Sequence, residues 1–285
     1  MVPGFSRSIS LPLSPSRSGK NSRAASHHVR SASLPCQSHP IISNLGEQIQ
    51  AIRSFSANPE ASFVWIEVGL GQIEAVLASL QEFLYLGQTQ ETLSQAASTD
   101  SVLEDFLILA DIYSSFVSTI ATLKQHQAEI QSALRRADKI CLVSALKSQR
   151  FVEKEIAQLT YSLKNISKSR PLALASNASE AEITGIMAEA VSTTAVASME
   201  LFSGVVAILS AAASSTKTSS MTWLFRKLAL NSSSNSRVSD EEFGVAEKFE
   251  QLEVYVGNVE SCSERVFRRL INLRVSLLNI STPLL

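Results

Sequence analysis

Two serines near the start of the chain stand in a context that protein kinases read. Ser10 lies in the run Arg7 to Pro12 (RSISLP) and Ser33 in the run Arg30 to Pro35 (RSASLP), so each serine has an arginine three residues before it and a proline two residues after it. Arginine at that spacing suits a basophilic kinase, because its guanidinium pairs with carboxylates of the kinase. Once phosphorylated, the Arg-Ser-x-Ser-x-Pro pattern resembles the phosphopeptide that 14-3-3 adaptors hold in an arginine cluster. A dimeric adaptor holding both copies gains from effective concentration. Ser10 and Ser33 are the candidate phosphorylation and adaptor-binding sites, with Arg7, Arg30, Pro12 and Pro35 as their recognition residues.

Elsewhere the residue types that perform catalysis are sparse. His27, His28 and His39 fall in the basic N-terminal tail, and His126 sits between Gln125 and Gln127 in a helical pattern, where it reads as a solvated side chain. The sequence has no P-loop, dinucleotide fingerprint, His-Glu-x-x-His or Gly-x-Ser-x-Gly. Cys36, Cys141 and Cys262 are far apart and lack the spacing of a metal knuckle or redox pair. An odd, sparse cysteine count suits a reducing compartment, and the sequons beginning at Asn165, Asn177, Asn231 and Asn279 read as unused. The expectation is a non-enzymatic protein with no cofactor and no metal.

Composition narrows the partners. Apolar residues make up 45% of the 285 and the net charge is −1, so the chain has no global electrostatic pull on nucleic acid. Charge is unevenly spread, however: Arg7, Arg17, Lys20, Arg23 and Arg30 all precede the first acidic residue, Glu47. This serine- and proline-rich stretch, residues 1–42, contains too little apolar surface to offset ordering entropy and is expected to be disordered. Basic, serine-rich and acid-free is also the composition of a plastid transit peptide. Both readings stay open beside the regulatory one, with the cytoplasm as the expected location otherwise.

From residue 43 to 285 the pattern becomes helical. Phe63, Ile66, Leu70, Ile73, Leu77, Leu80 and Leu84 step by threes and fours, as do Leu103, Phe106, Ala110, Tyr113, Val117 and Ile120, and again Val152, Ile156, Leu159, Leu163 and Ile166. Leu252, Tyr255, Val259, Cys262, Val266, Leu270, Leu273, Leu277 and Ile280 form a near-heptad seam with one stutter. Capping boxes are read at Ser101 with Glu104, Ser179 with Glu182 and Ser239 with Glu242. A break is expected near 136–141, and polar linkers near 167–179 and 231–239. The fold class is all-α: an elongated antiparallel helical bundle with coiled-coil-like long helices and a disordered N-terminal tail.

One stretch is apolar enough to raise the question of a membrane span. Val191 to Ser215 carries a single charge, Glu200, yet it is dominated by alanine, serine and threonine. An acid near its middle costs about 2.5–3.5 kcal/mol on an insertion scale, so a tightly packed core helix is the preferred reading. The following Trp223-Leu224-Phe225-Arg226-Lys227-Leu228 reads as a short amphipathic helix that closes the bundle in preference to a membrane contact.

The C-terminal run Val266 to Ile280 (VFRRLINLRVSLLNI) closely resembles the signature of a plant-specific BYPASS-like family, long catalogued only as a domain of unknown function. Similar matches are His28 to Pro35 with His39-Pro40, Phe83 to Leu86 leading into Thr89 to Ser94, Ala133 to Arg136, and Lys154 to Ile156 running into Leu163-Lys164. The resemblance covers nearly the whole chain from about His28 to Ile280. It implies a helical plant protein associated with root and shoot development, and it carries no catalytic residue or cofactor with it. The functional expectation is a helical interaction protein whose partners are other proteins, 14-3-3 adaptors among them. A peripheral membrane- or plastid-associated scaffold is the alternative.

Overall fold

The computed structural model describes residues 39–96, 99–136, 138–167, 177–229 and 240–282, with backbone alone at 134, 139, 214–229 and 240–250. Among the described residues every regular element is a helix: α1 (Pro40–Ser56), α2 (Phe63–Leu84), α3 (Gly87–Gln95), α4 (Thr99–Arg136), α5 (Lys139–Ser167), α6 (Ala178–Ala229) and α7 (Asp240–Ser281). The expected all-α class is what forms. At 38 residues α4 is about 57 Å long.

The helix starts follow local chemistry, and several differ from the sequence reading. Pro40, assigned to the tail, is the first residue of α1, where its missing N–H has no helical partner to lose. His39, also assigned to the tail, caps that helix through Nδ1, which accepts from the Ile41 amide at 3.3 Å. Ser62 caps α2 by accepting from the Trp65 amide at 3.2 Å. Ser101 lies inside the first turn of α4, because that helix starts at Thr99. The cap of α6 is Asn177, whose Oδ1 accepts from the Glu180 amide at 2.7 Å, so Ser179 is already helical. Ser239 lies outside the described residues, one position before α7. The break near 136–141 falls where expected: α4 ends at Arg136, and Asp138 starts α5 by accepting from the amides of Ile140 and Cys141, each at 3.0 Å.

The long helices alternate in direction along the chain. Pairing of Lys124 with Glu260 and of Gln131 with Glu253 sets α4 antiparallel to α7, and Ser192 on Ser167 together with Gln149 on Leu209 does the same for α5 and α6. That alternation leaves two neighbouring pairs parallel. Asn258 meets Glu67 and Arg265 meets Glu74 between α2 and α7, while Tyr113 meets Ser198 and Phe116 meets Phe202 between α4 and α6. The described residues all belong to one compact unit, Cys36–Leu285.

The seams read from periodicity are buried together. Ile66, Leu70, Ile73, Leu77, Leu80 and Leu84 of α2 share a core with Phe106, Tyr113 and Ile120 of α4, Val152, Ile156 and Leu163 of α5, and Val266, Leu270, Leu273 and Leu277 of α7. At its centre Phe116 and Phe202 stack at 3.7 Å, and Tyr113 meets Phe202 edge-on at 5.6 Å. Helix α6 is the hub, contacting every other helix of the unit. It buries Ile183, Met187, Ala190, Ala195, Ala197, Leu201, Val205 and Leu209, residues that point in several directions around its axis. A helix covered on several sides needs no polar stripe, which accounts for the apolar run from Val191. By length and composition α2, α4 and α6 each contain a segment able to cross a membrane, and in this structure α6 packs against both α2 and α4, with roughly half of each segment buried.

Between α2 and α6 the backbones approach closely at two glycines. A Cβ on Gly69 would stand 2.5 Å from Leu201 Cδ2 and 2.8 Å from Phe55 Cε1, and one on Gly204 would stand 2.7 Å from Ile66 Cδ1. These glycines set the depth at which α2 seats on α6.

Candidate functional site

The candidate phosphorylation and adaptor-binding residues Arg7, Ser10, Pro12, Arg30, Ser33 and Pro35 all lie outside the described residues, as does the plastid-like part of the N-terminus. The side chains of Trp223 to Leu228 are likewise outside them, although their backbone forms part of α6.

Within the bundle, a groove opens where α2 ends, α3 crosses and α7 reaches its last turns. Its volume is about 460 Å³, and its walls are Leu84, Tyr85, Gly87, Gln90, Glu91, Ser94, Ser276, Asn279 and Ile280. Local sequence places each wall. α2 stops at Leu84 and the chain turns through Tyr85 and Leu86, whose amides reach back to the carbonyls of Glu82 and Phe83 at 3.1 and 3.2 Å. The short helix α3 then begins at Gly87 and anchors itself by burying Thr89 and Leu93, which turns Gln90, Glu91 and Ser94 outward. On α7, Leu273 and Leu277 face the core, so Ser276, Asn279 and Ile280 face the groove at helical spacing.

The groove has an apolar floor, Leu84 with Ile280, and a polar wall. Gln90 and Asn279 supply carboxamides, Ser94 and Ser276 hydroxyls, and Glu91 a carboxylate. Tyr85 forms an exposed rim, its phenol oxygen accepting from Gln81 at 3.3 Å. Such a set can hold a ligand by hydrogen bonds to neutral groups plus one negative charge. The walls come from two of the blocks singled out in the sequence, Phe83 to Ser94 and Val266 to Ile280, which the fold joins although nearly the whole bundle separates them in the chain.

Nearer the start of α2 than the groove, α2 and α7 are joined by a polar ladder. Asn258 Nδ2 donates to Glu67 Oε1 at 2.9 Å, and Arg265 Nε donates to Glu74 Oε2 at 2.8 Å. Arg269 lies 3.8 Å from the other Glu74 oxygen, and Arg268 pairs at 2.6 Å with Glu264, four residues earlier on the same helix. The carboxylate of Glu74 raises the pKa of Arg265, which is fully charged in any case. Arg265, Arg268 and Arg269 thus each lie against a carboxylate.

The remaining chemistry-bearing groups are scattered. His126 is more covered than a solvated position would be, at 19% side-chain exposure, and its Nδ1 lies 3.2 Å from Glu129 Oε2. The thiol of Cys141 donates to Asp138, which raises the cysteine pKa and lowers that of the aspartate. Among the described residues no three His, Cys, Asp or Glu side chains converge as metal ligands.

No curated protein and no solved structure matches this chain. A family model does, that of Protein BPS1, over residues 69–280. The matched region runs from within α2 to the end of α7 and takes in every wall of the groove. With well over half of its length matched, the chain belongs to the Protein BPS1 family.

Proposed function

We propose that this protein is a non-enzymatic helical interaction protein acting in plant development, in the cytoplasm, and regulated through phosphorylation of Ser10 and Ser33. Membership of the BPS1 family supports the developmental setting, with root and shoot growth as the processes the resemblance points to. The observation that carries the reading is how the bundle spends its side chains. Its seams bury one another, its inter-helix arginines are paired with carboxylates, and the groove between α2, α3 and α7 presents hydrogen-bonding groups over an apolar floor. This is a surface made for recognition.

In this reading a basophilic kinase phosphorylates the two tail serines, and a 14-3-3 dimer holds both at once. The test uses full-length protein phosphorylated in vitro and purified 14-3-3. Bivalent capture is expected, with Ser10→Ala or Ser33→Ala alone weakening it by about a hundredfold or more through lost avidity, and the double variant abolishing it. Unchanged capture by the double variant sinks the regulatory part of the proposal.

A second reading, a peripheral membrane- or plastid-associated scaffold, draws on the basic, acid-free N-terminus. Fusing residues 1–45 to a fluorescent reporter separates the two: import into plastids supports the scaffold, and a diffuse cytosolic signal supports the interaction protein.

A further inference from the structure

Among the described residues helix α5 packs chiefly against α4 and α6, so one side of it looks outward. On that side Ile140, Phe151 and Tyr161 are 83%, 64% and 70% exposed. Between and beside them stand Lys147, Arg150, Lys154 and Lys164, all exposed. Ile140, Lys147, Phe151, Lys154 and Tyr161 fall at spacings that return to one face of an α-helix, with Arg150 and Lys164 on its flank. None of these four cations takes part in an ion pair among the described residues. The nearest acid, Glu153, is turned inward: Oε1 accepts from Gln149 at 3.3 Å and Oε2 from Ser210 of α6 at 3.2 Å. Glu155 is half-buried on the other flank, and Asp138 is engaged at the helix start by Cys141 and Ile140.

We infer that the outer face of α5 docks on an anionic phospholipid bilayer. The apolar side chains are spread over about 32 Å of helix, and cations separate them. A groove in a partner protein requires contiguous anchors at i, i+3, i+4 and i+7, which this face lacks. A bilayer surface offers acyl chains and headgroups everywhere, so isolated side chains insert while the lysines between them reach phosphate and carboxylate. With Glu153 turned inward and Glu155 half-buried on the flank, the cations Lys147, Arg150, Lys154 and Lys164 give the face a net positive charge, complementary to the cytoplasmic leaflet. The helix lies on the membrane and does not cross it. This surface is distinct from the tail serines and from the groove, and the proposal stands whether or not 14-3-3 binds.

Full-length protein is to be floated with vesicles of phosphatidylcholine alone and of phosphatidylcholine with phosphatidylserine. Binding is expected only with phosphatidylserine and is expected to weaken as salt rises. Each cation removed lowers partitioning about fivefold, so Lys147→Glu with Lys154→Glu lowers it by at least about a hundredfold. Phe151→Ser lowers it severalfold, all with the melting temperature unchanged. Because the N-terminus is also basic, Arg7→Ala with Arg30→Ala serves as the control and retains most of the binding. Should the charge reversals perturb folding, Lys147→Gln with Lys154→Gln gives the same reading with a smaller loss. Equal binding to phosphatidylcholine overturns the proposal, as does full binding by the α5 variants or loss of binding only in the tail variant. So does absence of vesicle binding in a protein whose α5 face instead retains a single-stranded oligonucleotide or an acidic peptide.

Discussion

Gly69 and Gly71 stand two residues apart on α2 and have opposite environments. Around Gly71 nothing lies within 4 Å of a would-be Cβ, whereas at Gly69 the Leu201 methyls and the Phe55 ring already fill that space. Gly71→Ala is therefore expected to stabilise by about 0.5–1 kcal/mol through helix propensity. Gly69→Ala gains the same propensity but forces apart a packed contact, at about 1–3 kcal/mol, and is expected to be net destabilising. Thermal unfolding of the two variants decides. Two buried phenols make a second contrast. Ser198 donates to the Thr194 carbonyl at 2.7 Å, so its oxygen accepts from Tyr113, whereas the buried Tyr255 hydroxyl has no hydrogen-bond partner among the described residues. Ser198→Ala strands the Tyr113 hydroxyl and is expected to cost about 1–3 kcal/mol, while Tyr255→Phe is expected to be neutral or stabilising. Burial pushes both phenols well above the usual tyrosine range. The native state keeps protons that the unfolded chain releases near pH 10, so stability falls as pH rises past 10, by about 1.4 kcal/mol per unit for each phenol. Tyr255→Phe should make that alkaline decline shallower.

At the scale of elements, the clearest cross-link is a buried pair of glutamines. Gln127 of α4 donates to Gln149 of α5 at 3.1 Å, and Gln149 donates to the Leu209 carbonyl of α6 at 3.2 Å. Both side chains are essentially inaccessible to solvent. Slipping any of these helices would leave carboxamides unpaired in the core, so the pair fixes register among α4, α5 and α6. Gln149→Leu is expected to destabilise by about 1–3 kcal/mol, and adding Gln127→Leu should recover much of that loss. Denaturant unfolding of the double-mutant cycle measures the coupling, and strict additivity would show that the pair does not act as a unit. Seams such as Ile66 to Leu84 and Val266 to Leu277 were legible because each faces one way. The start of α6 was not, since Ser179 with Glu182 mimics a capping box two positions past Asn177, the true cap. Nor was α3 recognised as a separate helix, because it is short and anchored by Thr89 and Leu93 alone.

For the whole molecule, the tail and the bundle are expected to be functionally separable. Ser10→Ala with Ser33→Ala should remove 14-3-3 capture without moving the melting temperature, because the tail sequence contains too little apolar surface to contribute to a core. A lowered melting temperature in that variant would count against the separation. The two proposed contacts, tail with adaptor and α5 with lipid, then give one protein a regulated partner and a surface on which to meet it.

Helical class, the seams, the α4–α5 break and the family resemblance follow from the order of residues, because amphipathic spacing and turn chemistry act over a few neighbours. The groove, the Glu74 ladder and the outward face of α5 belong to tertiary structure. Leu84 and Ile280 meet only once α7 lies parallel to α2, and Glu74 selects Arg265 and Arg269 for the same reason. In the sequence the cations of α5 are scattered among its apolar residues. They became a surface when α4 and α6 covered the other side of that helix and Ser210 helped to draw Glu153 inward.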